Sequence, residues 1–226
     1  MKITWHSHSC FELEDSRRIV IDPYLDNNPA AHAKSVQFNP DLIALTHAHA
    51  DHLGDAAQIA RRTGCLVVAI SELARYLDRL GVRTEGMNLG GSLRVGEIVL
   101  RMTAALHSAG ITQTDPPLCG GHAAGFVIED GTSVYHAGDT ALFSDMKLIG
   151  ELYRPEVALL PIGGRWTMGP REAALAASWI RPEVAIPMHY NTSSAIAADP
   201  AEFQELVETL CNTEVVILEA GDCLEY

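Results

Sequence analysis

The sequence has few cysteines and lacks long apolar runs. Its five cysteines are odd in number, widely spaced and never arranged as Cys-x-x-Cys. This pattern argues against a disulfide framework and a thiolate zinc site, and it favours a reducing compartment. None of the 226 residues lies in an apolar stretch long enough to cross a bilayer, and the first residues are not those of a signal peptide. We therefore expect a soluble, cytoplasmic protein with no membrane partner.

Basic side chains are also scarce. The chain has 16 Lys and Arg residues against 29 Asp and Glu residues, which gives a formal net charge of -13. Such an acidic surface repels phosphodiester backbones, so we expect no nucleic-acid partner. Hydrophobic residues make up 47% of the chain, which is enough for a sizeable core and excludes a disordered chain. Because no Gly/Ser-rich or Pro-rich linker interrupts the sequence, we predict one domain over residues 1–226.

Apolar patterning predicts two successive blocks of strands and helices. In the first block, strands at Lys2–Trp5, Arg18–Ile21 and Leu42–Thr46 precede helices that begin after Asp55 and after Ser71. A second run of strands between residues 84 and 136 is followed by alternating helices and strands up to residue 218. Such a pattern suits two sheets packed face to face with helices outside. The sequence therefore predicts an α/β fold, a four-layer αββα sandwich built from two βα halves.

The strongest chemical signal follows the strand that ends at residue 46. The sequence there is THAHADH over residues 46–52, a His-x-His-x-Asp-His motif that chance would produce about once in a thousand such chains. In an extended loop, His47 and His49 can direct their imidazoles to the same side. Asp51 and His52 would begin the turn into a helix and face a neighbouring point. The motif can thus serve two metal ions; a solvated polar loop is the alternative.

Three further candidate ligands, His107, Asp139 and His189, each follow an apolar strand. The ends of strands are where sheets present functional loops. Taken singly, each residue is more typical of an ordinary turn. Together with the motif they supply seven nitrogen and oxygen donors and no thiolate, a set that suits two divalent ions. Zinc is the first choice, and manganese or iron would also fit.

The order of these residues resembles the metallo-β-lactamase superfamily, whose hydrolases carry the same motif followed by a distant His, an Asp and a final His. Within it, the chain is most similar to small metal-dependent hydrolases related to the ascorbate phosphate lactonases. The similarity spans nearly the whole chain and includes HSCF at 8–11, IDP at 21–23, HAGDT at 136–140, PIGG at 161–164, TMGP at 167–170 and PMHYNT at 187–192. The chain departs from the family pattern at His6-Ser7 and Arg165-Trp166, positions that concern the pocket wall and the substrate.

The resemblance implies two sets of ligands that share one bridging carboxylate. The first set is His47, His49 and His107, the second is Asp51, His52 and His189, and the bridge is Asp139. A water between two such ions would be deprotonated near neutral pH, and the bridging hydroxide would attack a carbonyl carbon or a phosphorus. Asp51 would orient this hydroxide and later take up a proton.

Three residues outside the predicted ligand sets have two interpretations each. Asp22 could accept the free ring N–H of a ligand histidine, or cap the turn before Pro23. His8 could act at the metals as a proton donor or phosphate contact, or pack as a structural histidine. Tyr190 could donate its O–H to an oxyanion, or be a buried structural tyrosine. The candidate catalytic residues are therefore Asp51, His8 and Tyr190.

Two further segments bear on the choice of substrate. The irregular loop Ser108–Cys119, directly after His107, is a candidate lid or pocket wall, with an exposed surface loop as the alternative. Arg165 could pair with an anion at the pocket rim, or be a solvated surface arginine. An acidic protein with dications in its cleft would admit small anions more readily than polyanions. We therefore expect a small, anionic substrate.

These features favour a dinuclear metal-dependent hydrolase that acts on a small ester, lactone or phosphorylated metabolite. The first alternative is a phosphodiesterase or ribonuclease of the same fold, which would need a more basic surface. A non-catalytic metal-binding module is a second alternative, but such a module would be expected to have lost a ligand. A redox di-iron enzyme is weaker still, because Ala48 and Ala50 occupy positions where a carboxylate is typical. The sequence leaves the substrate, the native metal and the oligomeric state open; a homo-oligomer is one option.

Overall fold

In a computed structural model describing residues 1–226, the chain forms two seven-stranded β-sheets. The strands of the first sheet are β1 (Lys2–Trp5), β2 (Phe11–Glu14), β3 (Arg18–Ile21), β4 (Leu42–Ala44), β5 (Leu66–Ile70), β6 (Thr84–Met87) and β14 (Cys223–Glu225). They lie in the order β14-β1-β2-β3-β4-β5-β6. Pairing is antiparallel from β14 to β3 and parallel from β3 to β6.

The second sheet repeats this arrangement with later segments of the chain. Its strands are β7 (Ser92–Val95), β8 (Ile98–Ala104), β9 (Ala124–Asp130), β10 (Thr132–His136), β11 (Val157–Pro161), β12 (Val184–Met188) and β13 (Glu214–Val215). They lie in the order β13-β12-β11-β10-β9-β8-β7. Pairing is antiparallel from β7 to β10 and parallel from β10 to β13. Each half of the chain therefore supplies an antiparallel part and a parallel part.

Helices occupy the connections that parallel strands require. The α-helices are α1 (Ala50–Leu53), α2 (Ala56–Thr63), α3 (Ser71–Arg79), α4 (Met146–Tyr153), α5 (Pro170–Ile180) and α6 (Pro200–Leu210), and single 3₁₀ turns lie at Ser35–Gln37 and Ser194–Ile196. In α3, the buried residues Leu73, Ala74 and Leu77 recur at helical spacing, so one stripe faces the protein. No helix is long and apolar enough to cross a membrane.

The core explains why the two sheets pack together. One cluster of 62 buried hydrophobic residues includes side chains from both sheets and from the helices. Strands β11 and β12 are buried at every position, as expected for parallel strands covered on both faces. The predicted α/β fold with two βα halves is confirmed.

The structure differs from the sequence-based prediction mainly at element ends. Strand β9 continues to Asp130, so Gly131, with a φ of 76°, turns the hairpin almost alone. The predicted alternation of helices and strands up to residue 218 ends earlier, because the last strand of this sheet, β13, stops at Val215 together with its pairing to β12. Strand β14 was not predicted because it has only three residues and is largely exposed. It forms by pairing with β1, at the other end of the chain.

Candidate metal centre

The predicted ligands meet because their loops all leave strands at neighbouring edges of the two sheets. The loop after β4 carries His47 and His49 and runs directly into α1, which contains Asp51 and His52. The loops after β8, β10 and β12 carry the other three predicted ligands, His107, Asp139 and His189. Three overlapping groups of His and Asp side chains could hold a metal ion, and together they include all seven residues.

In the first group, three imidazole nitrogens converge. His47 Nε2 lies 3.0 Å from His49 Nδ1, and His107 Nε2 lies 3.3 Å from the same atom. Because the Thr46 hydroxyl donates to Asp22, its oxygen is free to accept from His47 Nδ1–H at 3.0 Å. That tautomer leaves the lone pair of His47 Nε2 directed at the other two rings. Burial lowers the pKa of all three histidines, which keeps them in the neutral form that binds metals.

The second group contains Asp51, His52 and His189, together with His8. His52 is fully buried, and its Nδ1 lies 2.7 Å from Asp22 Oδ2. Burial alone would lower the pKa of His52, but the carboxylates of Asp139 and Asp22 hold this pKa well above its usual value. These two carboxylates therefore favour positive charge at the position of His52.

Asp139 lies between the two groups. Its Oδ1 is 3.2 Å from His52 Nε2, while its Oδ2 is 3.1 Å from His189 Nε2 and 3.6 Å from His107 Nε2. Burial would raise the pKa of this carboxyl, but His189 and His52 hold it well below its usual range. Asp139 is therefore an ionised carboxylate that contacts the second group through both oxygens and the first group through Oδ2.

The partners of Asp22 settle one of the alternatives left open by the sequence. Besides His52, this carboxylate accepts hydrogen bonds from the backbone N–H of Thr46 at 2.8 Å and from its hydroxyl at 2.6 Å. Asp22 is fully buried, with a φ of 46°. It accepts the outer N–H of a predicted ligand histidine, the arrangement by which proteins orient metal-bound imidazoles.

The chemistry of the donor set fits divalent ions. His52 Nε2, His189 Nε2 and Asp139 Oδ1 are buried and make no directional hydrogen bond, although both rings lie within 3.2 Å of the Asp139 carboxylate. Buried polar atoms of this kind are normally satisfied, and a cation is the partner that lone pairs and a carboxylate share. Nitrogen and oxygen donors without thiolate suit zinc, manganese or iron.

Backbone strain is concentrated here. Seven non-glycine residues of the chain have a positive φ, and five of them adjoin this centre. These five are Ser7, His8, Asp22, His189 and Asn191. Residues held in the left-handed region cluster at sites where the surrounding structure dictates their position. The backbone is also crowded at Gly163, where a Cβ would overlap the carbonyl oxygen of His189.

A cavity of about 330 Å³ opens onto the two groups. The residues that line it are His49, Asp51, His107, Ser108, Asp139, Trp166 and His189. A larger cavity, of about 500 Å³, lies between the ends of α4 and α5 and includes none of the predicted ligands. The smaller cavity is the candidate active site, because only there does open space meet the converging His and Asp side chains.

The predicted substrate-facing residues fall at different distances from this cavity. Ser108 lines it, and Gln113 in the same loop donates a hydrogen bond to the carbonyl oxygen of Ala48 at 3.2 Å. The Ser108–Cys119 loop thus contributes to the wall through its first residue. Trp166 is the only apolar lining residue, and the Arg165 guanidinium stacks 5.2 Å from its ring centre. The sequence marked this pair as a departure from the family pattern, but could not show that the indole lines the cavity.

The remaining two candidate catalytic residues differ in their surroundings. His8 is buried, with Nε2 3.2 Å from Asp51 Oδ2 and Nδ1 2.9 Å from Thr192 Oγ1. Burial lowers the pKa of His8 to about 4. Tyr190 does not line the cavity; its ring stacks on Trp5 at 5.5 Å, and burial raises its pKa to about 12. Donation by Tyr190 to an oxyanion stays a prediction, and Thr192 is a neighbour of the centre that sequence reasoning did not single out.

Comparison with known proteins assigns the family. A profile of the beta-lactamase superfamily domain matches residues 17–190, more than half of the chain. The chain belongs to this superfamily. Two curated relatives named UPF0173 metal-dependent hydrolase are similar over its whole length. One, from Methanosarcina mazei, is 49% identical over 100% of this chain and 98% of its own, and one from Methanopyrus kandleri is 51% identical over the full length of both.

A solved structure of a superfamily member agrees with the architecture. Igni18, described as a novel metallo hydrolase from the hyperthermophilic archaeon Ignicoccus hospitalis, is 41% identical, with a TM-score of 0.89. The similarity covers 100% of this chain and 98% of that one. The protein is therefore a metal-dependent hydrolase of the metallo-β-lactamase fold, as the order of its His and Asp residues predicted.

Proposed function

We propose that this superfamily member is a dinuclear hydrolase that acts on a small anionic ester, lactone or phosphorylated metabolite. The observation that carries the proposal is the position of Asp139, whose carboxylate lies 3.1–3.2 Å from His52 and His189 of the second group and 3.6 Å from His107 of the first. A carboxylate that reaches two sets of His and Asp donors is the arrangement that a pair of dications needs. His47, His49 and His107 would hold one ion, and Asp51, His52 and His189 the other.

Two bound divalent ions would supply Lewis-acid activation of a water molecule and of the substrate oxygen. The chain itself supplies orientation and a proton acceptor. Burial would raise the pKa of Asp51, but the hydrogen bond from His8 and the nearby His52 hold it well below its usual range. Asp51 therefore remains ionised at neutral pH. It lines the cavity, with His8 near only one of its oxygens, so the other can face a water molecule or accept a proton.

Charge supports a small substrate. The chain has a formal net charge of -13, so its exterior opposes the approach of polyanions. Three of the seven residues that line the cavity are histidines, and two bound dications would make its floor locally positive. Trp166 offers an apolar surface for the body of a substrate, and Arg165, stacked on that indole, offers a cation at the rim. A small molecule with one or two negative charges would match all three features.

The test is a panel assay of purified protein loaded with zinc or manganese. Lactones, phosphomonoesters, phosphodiesters, thioesters and amides would be compared with tRNA and duplex DNA at physiological salt. We expect turnover of at least one small anion and no nucleic-acid cleavage. The Asp139→Asn variant should lose the activity, while Asp78→Asn, on the exposed side of α3, should keep it. RNA cleavage faster than turnover of every small molecule would contradict the proposal.

A further inference from the structure

We propose that His8 is a positioning residue that holds Asp51 by donating from Nε2, and that the hydroxyl of Thr192 sets the ring tautomer this donation requires. The inference deepens the proposed function, because it rests on Asp51 serving as a metal ligand and proton acceptor. It starts from a chain of two contacts: Thr192 Oγ1 lies 2.9 Å from His8 Nδ1, and His8 Nε2 lies 3.2 Å from Asp51 Oδ2.

The direction of the hydrogen bonds follows from the acceptor at the end of this chain. An ionised carboxylate can only accept, so the contact with Asp51 requires a proton on His8 Nε2. A neutral imidazole then carries a lone pair on Nδ1, which must accept from the Thr192 hydroxyl. Thr192 therefore donates to His8, and His8 donates to Asp51. Loss of the hydroxyl would remove the group that favours this tautomer over the opposite one.

The backbone around His8 keeps the ring in place. His8 has a φ of 55° and follows Ser7 at 88°, so both residues adopt a conformation that needs support. That support is visible at the carbonyl oxygen of His8, which accepts from Trp5 Nε1 at 3.0 Å and from the backbone N–H of His189 at 2.9 Å. The same short segment thus contacts two of the predicted ligands, Asp51 through its ring and His189 through its backbone.

Two observations favour a positioning role over direct contact with substrate or metal. The side chain of His8 is only 4% exposed, and His8 does not line the cavity, so a substrate there would not reach the ring. A metal ligand would have to present the lone pair of Nε2, and that nitrogen could not then donate to Asp51. In the proposed Thr192–His8–Asp51 chain, His8 Nε2 is therefore a donor to Asp51 and not a metal ligand.

The cleanest perturbation is Thr192→Val, which removes the hydroxyl and leaves His8 and its backbone unchanged. Histidine ¹H–¹⁵N spectra of the metal-free protein at pH 7.5 should show His8 as the Nε2–H tautomer, with that preference weakened in the variant. Zinc binding to the metal-free protein, measured by competition with a chelator, should weaken about tenfold for one of two ions, which is typical of losing an outer hydrogen bond. For the best substrate of the panel, kcat should fall while KM changes little.

Matched variants separate positioning from a general effect on the fold. Thr192→Ser keeps the hydroxyl and should restore zinc affinity to within about twofold, whereas Ser194→Ala removes a neighbouring exposed hydroxyl and should change neither binding nor kcat. A second pair, His8→Gln and His8→Leu, imposes the same left-handed φ on an unsuitable residue, so strain cancels in the comparison. Gln can still donate to Asp51 and should bind zinc more tightly than Leu.

Three results would overturn the inference. The first is a spectrum that shows His8 as the Nδ1–H tautomer. The second is an identical zinc affinity in Thr192→Val and the parent protein. The third is the loss of one whole ion in both His8 variants, which would make His8 a ligand. The spectra and the zinc titrations need no substrate. If they behave as expected while the panel yields no turnover, the proposed reaction fails and the positioning role stands.

Discussion

Replacing Asp139 with Asn tests the central geometric claim, that one carboxylate serves two ions. The substitution keeps the size of the side chain and one carbonyl oxygen, but it removes the negative charge and puts an NH₂ group in place of one oxygen. In the structure Oδ1 faces His52 and Oδ2 faces His107 and His189. Because this one carboxylate contacts imidazoles of both groups, the loss should appear at both metal sites.

The expected size of the effect follows from comparison with weaker contacts. Removing an outer hydrogen-bond partner of a metal site costs about 10–100-fold in affinity. Asp139 lies among the ligand atoms themselves, so we expect at least the upper end of this range for each ion, about 2.7 kcal/mol. Asp51→Asn should differ, because its carboxylate belongs to one group only and should weaken mainly one ion.

The assay is metal content after dialysis against a chelator of graded strength, measured by elemental analysis alongside calorimetric titration. The parent protein should saturate at about two ions per chain, and Asp139→Asn should approach none under conditions in which Asp51→Asn retains about one. Asp78→Asn is the control for loss of a surface charge. The reasoning is refuted if Asp139→Asn retains two ions, or if it loses only the ion that Asp51→Asn loses.

Three further predictions address catalysis, pH and the substrate. Asp51→Asn should lower kcat by a factor of about a hundred or more, and normal turnover with normal metal content would exclude its role as proton acceptor. Burial lowers the pKa of His136, whose Nε2 donates to Ser9 O at 2.9 Å, so below about pH 6.5 the unfolded chain binds a proton that the native ring does not. The free energy of unfolding of the metal-free protein should therefore fall as the pH falls. Denaturant titrations between pH 7 and 5 should show a smaller pH dependence of this free energy in His136→Leu, by up to about 1.4 kcal/mol per pH unit. An unchanged pH dependence would contradict the lowered pKa of His136. Arg165→Ala should raise KM for the best anionic substrate and leave KM for an uncharged analogue unchanged. If the variant and the parent protein have equal KM values for each of the two substrates, Arg165 faces solvent only.

Much of the site was predictable because its signals are local. The THAHADH segment places two imidazoles two residues apart on extended backbone and an Asp-His pair on the following turn, and such spacing is visible without a fold. The strands before His107, Asp139 and His189 could be read from their apolar residues, which the core buries. The order of these ligands then implied the superfamily, which the profile match and the relatives confirm.

Contacts between distant segments could not be predicted in the same way. Asp22 had two equally plausible roles in the sequence, and only the fold brings it to 2.7 Å from His52, thirty residues away. Tyr190 also had two interpretations in the sequence, and only the fold brings its ring into a stacked contact with Trp5. Strand β14 forms only because residues near the C-terminus pair with β1.

The sequence by itself determined the chemistry of the centre, since residue types and spacing decide which donors are available, and it determined the βα pattern, since apolar periodicity is a local property. The tertiary structure alone decided which oxygen of Asp139 meets which imidazole, that Trp166 lines the cavity, and that Thr192 meets His8 across 184 positions of the chain. The physical reason is that a hydrogen bond or a ligand contact depends on distances of a few tenths of an ångström. Such distances are set by how two sheets pack on a shared core, and no local pattern encodes them.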